Sequence, residues 1–171
     1  MAVTSNSGNN YTLYYNVLEY FRTIMVNHPS LSNVSQGSIV DVDGDAYPQY
    51  PMGNILISNT KFTQNETIFT IQLTIGDKVK LRNNESDGRT NALTTQFYGV
   101  DDSVDIFSNT LGIANDLTAY TQRSQQAFII DTDIELTPFK DDFDNGLCGW
   151  LVTFDLKTHN NRDMCLFNLN P

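Results

Sequence analysis

The side chains able to do chemistry in this 171-residue chain are few: His28 and His159, Cys148 and Cys165, and a surplus of carboxylates. Nucleophilic catalysis needs a thiol or hydroxyl within hydrogen-bond reach of a base. Cys165 follows His159 by six residues, and a thiolate hydrolase is the enzyme such a pair would make. Closeness along a terminal segment fixes no geometry, however. The histidines read instead as solvent-exposed residues, one closing a helix before Pro29 and one in a Thr158-His159-Asn160-Asn161 loop. Two cysteines do not make a disulfide framework, so both read as reduced thiols.

The carboxylates invite a metal reading. Oxygen ligands at alternate positions suit calcium, and Asp41-Val42-Asp43-Gly44-Asp45 offers them. Glycine comes fourth rather than sixth, and Met52 stands where a bidentate glutamate would close the shell. Asp141-Asp142-Phe143-Asp144-Asn145-Gly146 also lacks a closing glutamate and reads as an Asn-Gly turn. No phosphate loop, dinucleotide turn or His/Cys metal spacing occurs. The expectation is a chain with no catalytic residue, no cofactor and no metal. Tyr11, Tyr14, Tyr15 and Tyr20 crowd the first helix and could stack on sugar or base rings, which makes a small-molecule or carbohydrate binding module the alternative reading. Amphipathic flanks buried on a sheet or between subunits explain them more simply.

Twenty acidic residues against ten basic give a formal charge of −10. Nucleic-acid binders carry a basic patch, and the nearest thing here is Lys78, Lys80 and Arg82, which reads as the solvated end of a strand. Sequence-specific nucleic acid is therefore not an expected partner. An acidic surface suits basic partners, or DNA that must slide past without sticking. No run approaches 18 apolar residues, so no membrane span is expected. Residues 1–10 lack the basic and apolar regions of a signal peptide.

The elements that must position these residues follow from periodicity. Tyr14, Val17, Leu18, Phe21, Ile24 and Met25 form one apolar stripe, which predicts a helix over 10–28. Strands are predicted at 38–42, 54–62, 65–75, 127–136 (stopped by Pro138) and 148–156. The cleanest alternation is Phe69, Ile71, Leu73, Ile75 against Thr70, Gln72, Thr74. A second helix begins near Asp102 with Asp101 or Asp102 as cap, and Val104, Phe107, Leu111, Ala114 and Leu117 read as its buried stripe. Gly112 within it suggests close packing on the sheet, and Trp150 reads as core. The fold class is α+β: a two-layer sandwich with a mostly antiparallel sheet of about five strands and two main helices on one face. Residues 1–9 read as a flexible tail, 10–157 as one domain, and 158–171 as an interaction tail. The loop 81–101 is too long for a mere connection. Asn83, Asn84, Glu85, Ser86 and Asp87 in that loop, with Met164, Leu166, Phe167 and Leu169 in the tail, are the candidate subunit-interface residues.

The order of these pieces resembles the tailed-phage neck and tail-terminator (tail-completion) proteins. The likeness is carried by the helix ending in His28-Pro29, the Val34–Asp43 segment, and Tyr50-Pro51 leading into Asn54–Ser58. It continues through the alternating strand to Ile75, the Asp102-led helix, and Gly149-Trp150-Leu151-Val152-Thr153-Phe154-Asp155 with Cys165 beyond. The resemblance implies a structural virion protein, a subunit of a homo-oligomeric ring, often a hexamer. Such a ring caps the tail tube at its head-proximal end and joins it to the head connector. The implied partners are further copies of the chain, tube or sheath, and neck proteins, with DNA passing through the lumen. Assembly would take place in the host cytoplasm.

Overall fold

The computed structural model describes residues 13–37, 49–80, 101–123, 128–130, 133–140 and 146–159. The elements run α1 (Leu13–Val26), β1 (Asn33–Gln36), β2 (Met52–Phe62), β3 (Glu66–Lys78), α2 (Ser103–Arg123), β4 (Ile129–Ile130), β5 (Glu135–Lys140) and β6 (Leu147–His159). The class is α+β, with two helices on one face of a mixed, mostly antiparallel sheet.

The centre of the sheet is the antiparallel pair β3 and β6, in register from Glu66 opposite His159 to Lys78 opposite Leu147. Side chains alternate across a strand, so this register lines up Phe69 with Leu156, Ile71 with Phe154 and Leu73 with Val152 on one face. All six are buried there. β2 adds Ile55 and, on the far side, the hydrophobic stripe of α1 adds Val17, Phe21 and Met25. Burying each such side chain contributes roughly 1.5–3 kcal/mol. α2 completes the layer with Ile113, Ala114 and Leu117.

The buried stripe of α2 shares Ala114 and Leu117 with the one expected and departs from it in the first half of the helix. Ser103, Ile106, Thr110, Ile113, Ala114, Leu117 and Thr121 face the sheet, while Val104 and Leu111 are about 40% exposed. The threonines explain the shift. Thr110 and Thr121 donate their hydroxyls to the carbonyls of Ile106 and Leu117, both at 2.6 Å, which satisfies the polar atom inside the helix and leaves a methyl to pack. Gly112 faces open space rather than the sheet.

Three expectations about strands are also corrected. A short strand, β1, forms at Asn33–Gln36, where none was expected, and pairs with β2 in parallel, one of six strands among the described residues. It is held by the Asn54 side chain, whose Oδ1 accepts from Ser35 (2.9 Å) and whose Nδ2 donates to the Gly37 carbonyl (2.9 Å). Gly37 has φ of 99°, a backbone conformation that glycine adopts without a Cβ clash. The expected strand at 127–136 is two pieces, β4 and β5, on the same edge of β6. Pro138 does not end β5 but lies within it, opposite Trp150. Proline is tolerated because its missing N–H removes nothing on an edge strand. The expected strand at 38–42 lies outside the described residues.

Four strands meet in one cross-strand row on the other sheet face: Met52, Gly76, Gly149 and Phe139. The bulky outer residues lean over the two glycines, and Met52 with Leu147 forms a small second core that Tyr50 and Phe139 join. A Cβ on Gly149 would run into the Ile75 carbonyl oxygen and lie 2.8 Å from the Gly76 Cα. Backbone cannot move aside there. Gly149→Ala is therefore expected to destabilise the fold by about 2–4 kcal/mol through strain and overpacking. Gly112→Ala, in open space on a helix, should stabilise it by up to about 1 kcal/mol. Urea unfolding of both variants checks the contrast.

Candidate interaction surface

The start of α2 is fixed by sequence-local and long-range contacts together. The Asp101 carboxylate accepts from the Ser103 amide (3.1 Å) and hydroxyl (2.6 Å), serving the free N–H groups of a helix start. Lys140, arriving from β5, donates to the other oxygen of Asp101 at 3.0 Å and to the Ser103 hydroxyl at 3.1 Å. The Ser103 hydrogen bonds and the Lys140 hydrogen bond hold the Asp101 carboxyl down at about 2, from an ordinary 3.8. A carboxylate so engaged is a poor proton acceptor. Its role here is to fasten α2 to the sheet edge.

Asp102 acts beside it. The Asp102 amide donates to the Lys80 carbonyl at 3.1 Å, and the Lys80 amide donates to the Asp102 carboxylate at 2.7 Å. Residues 80 and 102 are thereby clamped together, and the two ends of the 81–100 segment are fixed side by side. Asn83, Asn84, Glu85, Ser86 and Asp87 lie outside the described residues.

A second apolar stripe runs along α2 beside the buried one. Val104, Phe107 and Leu111 follow at spacings of three and four, which puts them on one helical face. Trp150 reaches this stripe from β6. Its Nε1 donates to the Phe107 carbonyl at 2.9 Å, and the two rings meet edge to face at 5.8 Å. Trp150 is half-buried rather than fully in the core, and the edge residue opposite it, Pro138, is exposed. Half-buried Trp150 and Phe107 thus lie beside the exposed aliphatics Val104 and Leu111 of the same helical face.

The other residues singled out in the sequence fall as follows. His28 is not an exposed cap: its side chain is only 12% exposed. Nδ1 accepts from the Ser30 amide (3.2 Å) and Nε2 lies 3.7 Å from an Asp116 oxygen, tying the end of α1 to α2. His159 sits in the last β6 pair rather than in a loop. Cys148 is buried and forms no disulfide among the described residues. Lys78 and Lys80 are exposed at the end of β3. Tyr14 and Tyr15 are exposed, while Tyr20 is half-buried against Phe21 and Phe128. Asp41, Asp43, Asp45, Asp141, Asp142, Asp144, Tyr11, Cys165, Met164, Leu166, Phe167 and Leu169 lie outside the described residues. Among the described residues no cluster of three or more His, Cys, Asp or Glu could hold a metal ion, and no helix is long and apolar enough to cross a membrane. The residues that sequence reasoning missed are Lys140 and the pairing of Trp150 with the Val104–Leu111 stripe. Only the Asp101-Asp102-Ser103 capping run signalled either.

No protein-family model matches the chain, and no curated protein does.

The Asp101 clamp has a pH signature. Its carboxyl is held below the value it has in the unfolded chain, so the stabilisation is complete above about pH 4 and is lost as pH falls towards 2. Discounted for partial solvent screening, it amounts to about 1–2 kcal/mol. Stability measured by urea unfolding at intervals between pH 5 and 2 should fall along this limb, and Asp101→Asn should flatten it.

Proposed function

We propose that this chain is a structural assembly subunit, of the ring-forming kind found at the head-proximal end of a phage tail, where it would cap the tube and join it to the head connector. The observation that carries the reading is the half-exposed stripe of Val104, Phe107 and Leu111 with Trp150, set on a helix clamped at its start by Asp101, Asp102 and Lys140. Rigid aromatic and aliphatic anchors lose little conformational freedom on binding, which is what a protein interface requires of its centre.

Three further features fit. The clamped base beneath residues 81–100 gives Asn83–Asp87 a fixed point of departure for reaching a neighbouring subunit. A copy that docks on the stripe through a different surface of its own makes a head-to-tail contact. Such head-to-tail contacts close into rings when the rotation allows. The net charge of −10 suits a lumen through which DNA passes without adhering. The location that follows is the virion, with tube, sheath and neck proteins as partners and no membrane.

Light scattering and native mass spectrometry of the purified chain test this. A closed oligomer is expected, with six copies the first stoichiometry to look for. Leu111→Asp should weaken each subunit contact by roughly 30-fold or more, as for loss of a central anchor, without lowering the unfolding temperature appreciably. A strict monomer at high concentration that also ignores tail and neck proteins overturns the reading.

A further inference from the structure

Both helices lie on one face of the sheet, and the strand register fixes what the other face carries. Lys61, Ile68, Lys157 and Ile129 stand in one cross-strand row. Asn59, Thr70 and Asp155 form the next, and Leu56, Gln72, Thr153 and Glu135 a third. Side chains alternate along a strand, so the neighbours of these residues on β3 and β6, such as Phe69, Ile71, Phe154 and Leu156, are the buried ones. The outward residues are open. Ile68, Thr70, Gln72, Thr153 and Asp155 are partly exposed, Asn59, Lys61 and Glu135 are exposed, and Ile129 at the edge is 55% exposed. The Gly76 end of this face is closed by Met52 and Leu147 with Tyr50 and Phe139. Over the remaining rows, no helix among the described residues covers it.

We infer that this open face is a contact between two copies of the chain, packed sheet to sheet about a two-fold axis. Charge and area select a second copy as the occupant. The chain carries a net charge of −10, so copies repel one another through most of their surface. The open rows hold Lys61 and Lys157 against Glu66, Asp155 and Glu135, a net of −1. Leu56, Gln72 and Thr153 at their centre are uncharged, and the Asp155 carboxylate accepts from the Thr70 hydroxyl at 2.7 Å. Approach through this face therefore brings nearly neutral surfaces together, whereas a basic partner is drawn to the acidic remainder. From Glu66 to Thr74 the open rows cover about 30 Å at strand rise, and four paired strands are about 19 Å wide. Each copy thus offers about 570 Å², and two copies bury about 1,100 Å², above the roughly 1,000 Å² a specific contact needs. The contact uses the same patch on both copies. It is separate from the α2 stripe and stands whether or not the stripe closes a ring.

Sedimentation velocity on the full chain carrying Leu111→Asp tests it, because that substitution removes the stripe contact and leaves the sheet face intact. A dimer is expected to form as concentration rises through roughly the micromolar range. Adding Gln72→Glu and Thr74→Glu puts four carboxylates into the dimer contact without touching the buried side of β3. The dimer should weaken at least about 100-fold, with the circular dichroism spectrum unchanged, and recover in part at about 1 M salt, where the added charges are screened. A misfolded variant would not recover in this way. A Leu111→Asp chain that stays monomeric overturns the inference, and so does a dimer that the added carboxylates leave unchanged. Larger assemblies of the unaltered chain would in either case still support the ring reading. An unaltered chain that never exceeds a dimer, with that dimer lost on adding the carboxylates, sinks the ring reading and leaves this one standing.

Discussion

The antiparallel pairing of β3 with β6 is the constraint on which the rest of the molecule depends. It joins residues 66–78 to residues 147–159, the longest separation along the chain of any strand pair. Closing so distant a contact costs chain entropy before it returns anything. The return comes from the shared face: Phe69, Ile71, Leu73 and Ile75 against Leu156, Phe154, Val152 and Trp150, with both helices laid over them. Thr70 adds a hydrogen bond to Asp155 at 2.7 Å on the opposite face. β2 and the β4–β5 edge are each fixed by pairing with one of these two strands, and α2 rests on both. A one-residue slip would turn every core side chain to the wrong face, so the exposed stripe on α2 exists where it does only because this register is fixed.

That centre is legible in the sequence because alternation at period two over seven or more residues arises in few settings besides a strand with one face buried. α1 is legible for the corresponding reason at period 3.6. The parts that escape a pattern do so through their chemistry. Thr110 and Thr121 count as polar when a pattern is read, yet each loses its polarity to a carbonyl one turn back. A stripe drawn through Val104 and Leu111 therefore looks more hydrophobic than the true one through Ile106, Thr110 and Ile113. β1 has only Val34 as a hydrophobic residue and forms because Asn54 anchors Ser35 and Gly37 from the neighbouring strand. Pro138 reads as a stop until its strand is known to be an edge.

The surface is less legible than the core, and for a different reason. Lys140 meets Asp101 across 39 positions and Trp150 meets Phe107 across 43. No local pattern encodes such a meeting; it follows only after the sheet order is known. Strand parity correctly places Trp150 on the core-facing side of β6, opposite Ile75. Its position beside the edge strand, where α2 leaves it half-covered, depends on the lateral order of strands. Histidines suffer the same limitation. His28 at a helix end before proline resembles an exposed cap, and only the approach of α2 with Asp116 turns it into a bridge between helices.

The mismatch between pattern and burial on α2 has a physical consequence that bears on function. The first half of α2 leaves two aliphatics of its apolar stripe, Val104 and Leu111, about 40% exposed, while Ala114 and Leu117 of the same stripe are buried. Selection for stability alone would turn Val104 and Leu111 inward and leave threonine outside, because buried threonine contributes less than valine or isoleucine of similar size. The arrangement observed keeps the core adequate with hydroxyls that bond within the helix and leaves the aliphatics free to meet another surface. Exposed apolar residues raise the risk of nonspecific association, and the high net negative charge opposes that by mutual repulsion. In a chain that carries both features, a contact of matching shape is what would overcome the repulsion. That balance supports assembly as the reading of this molecule more directly than any single residue does.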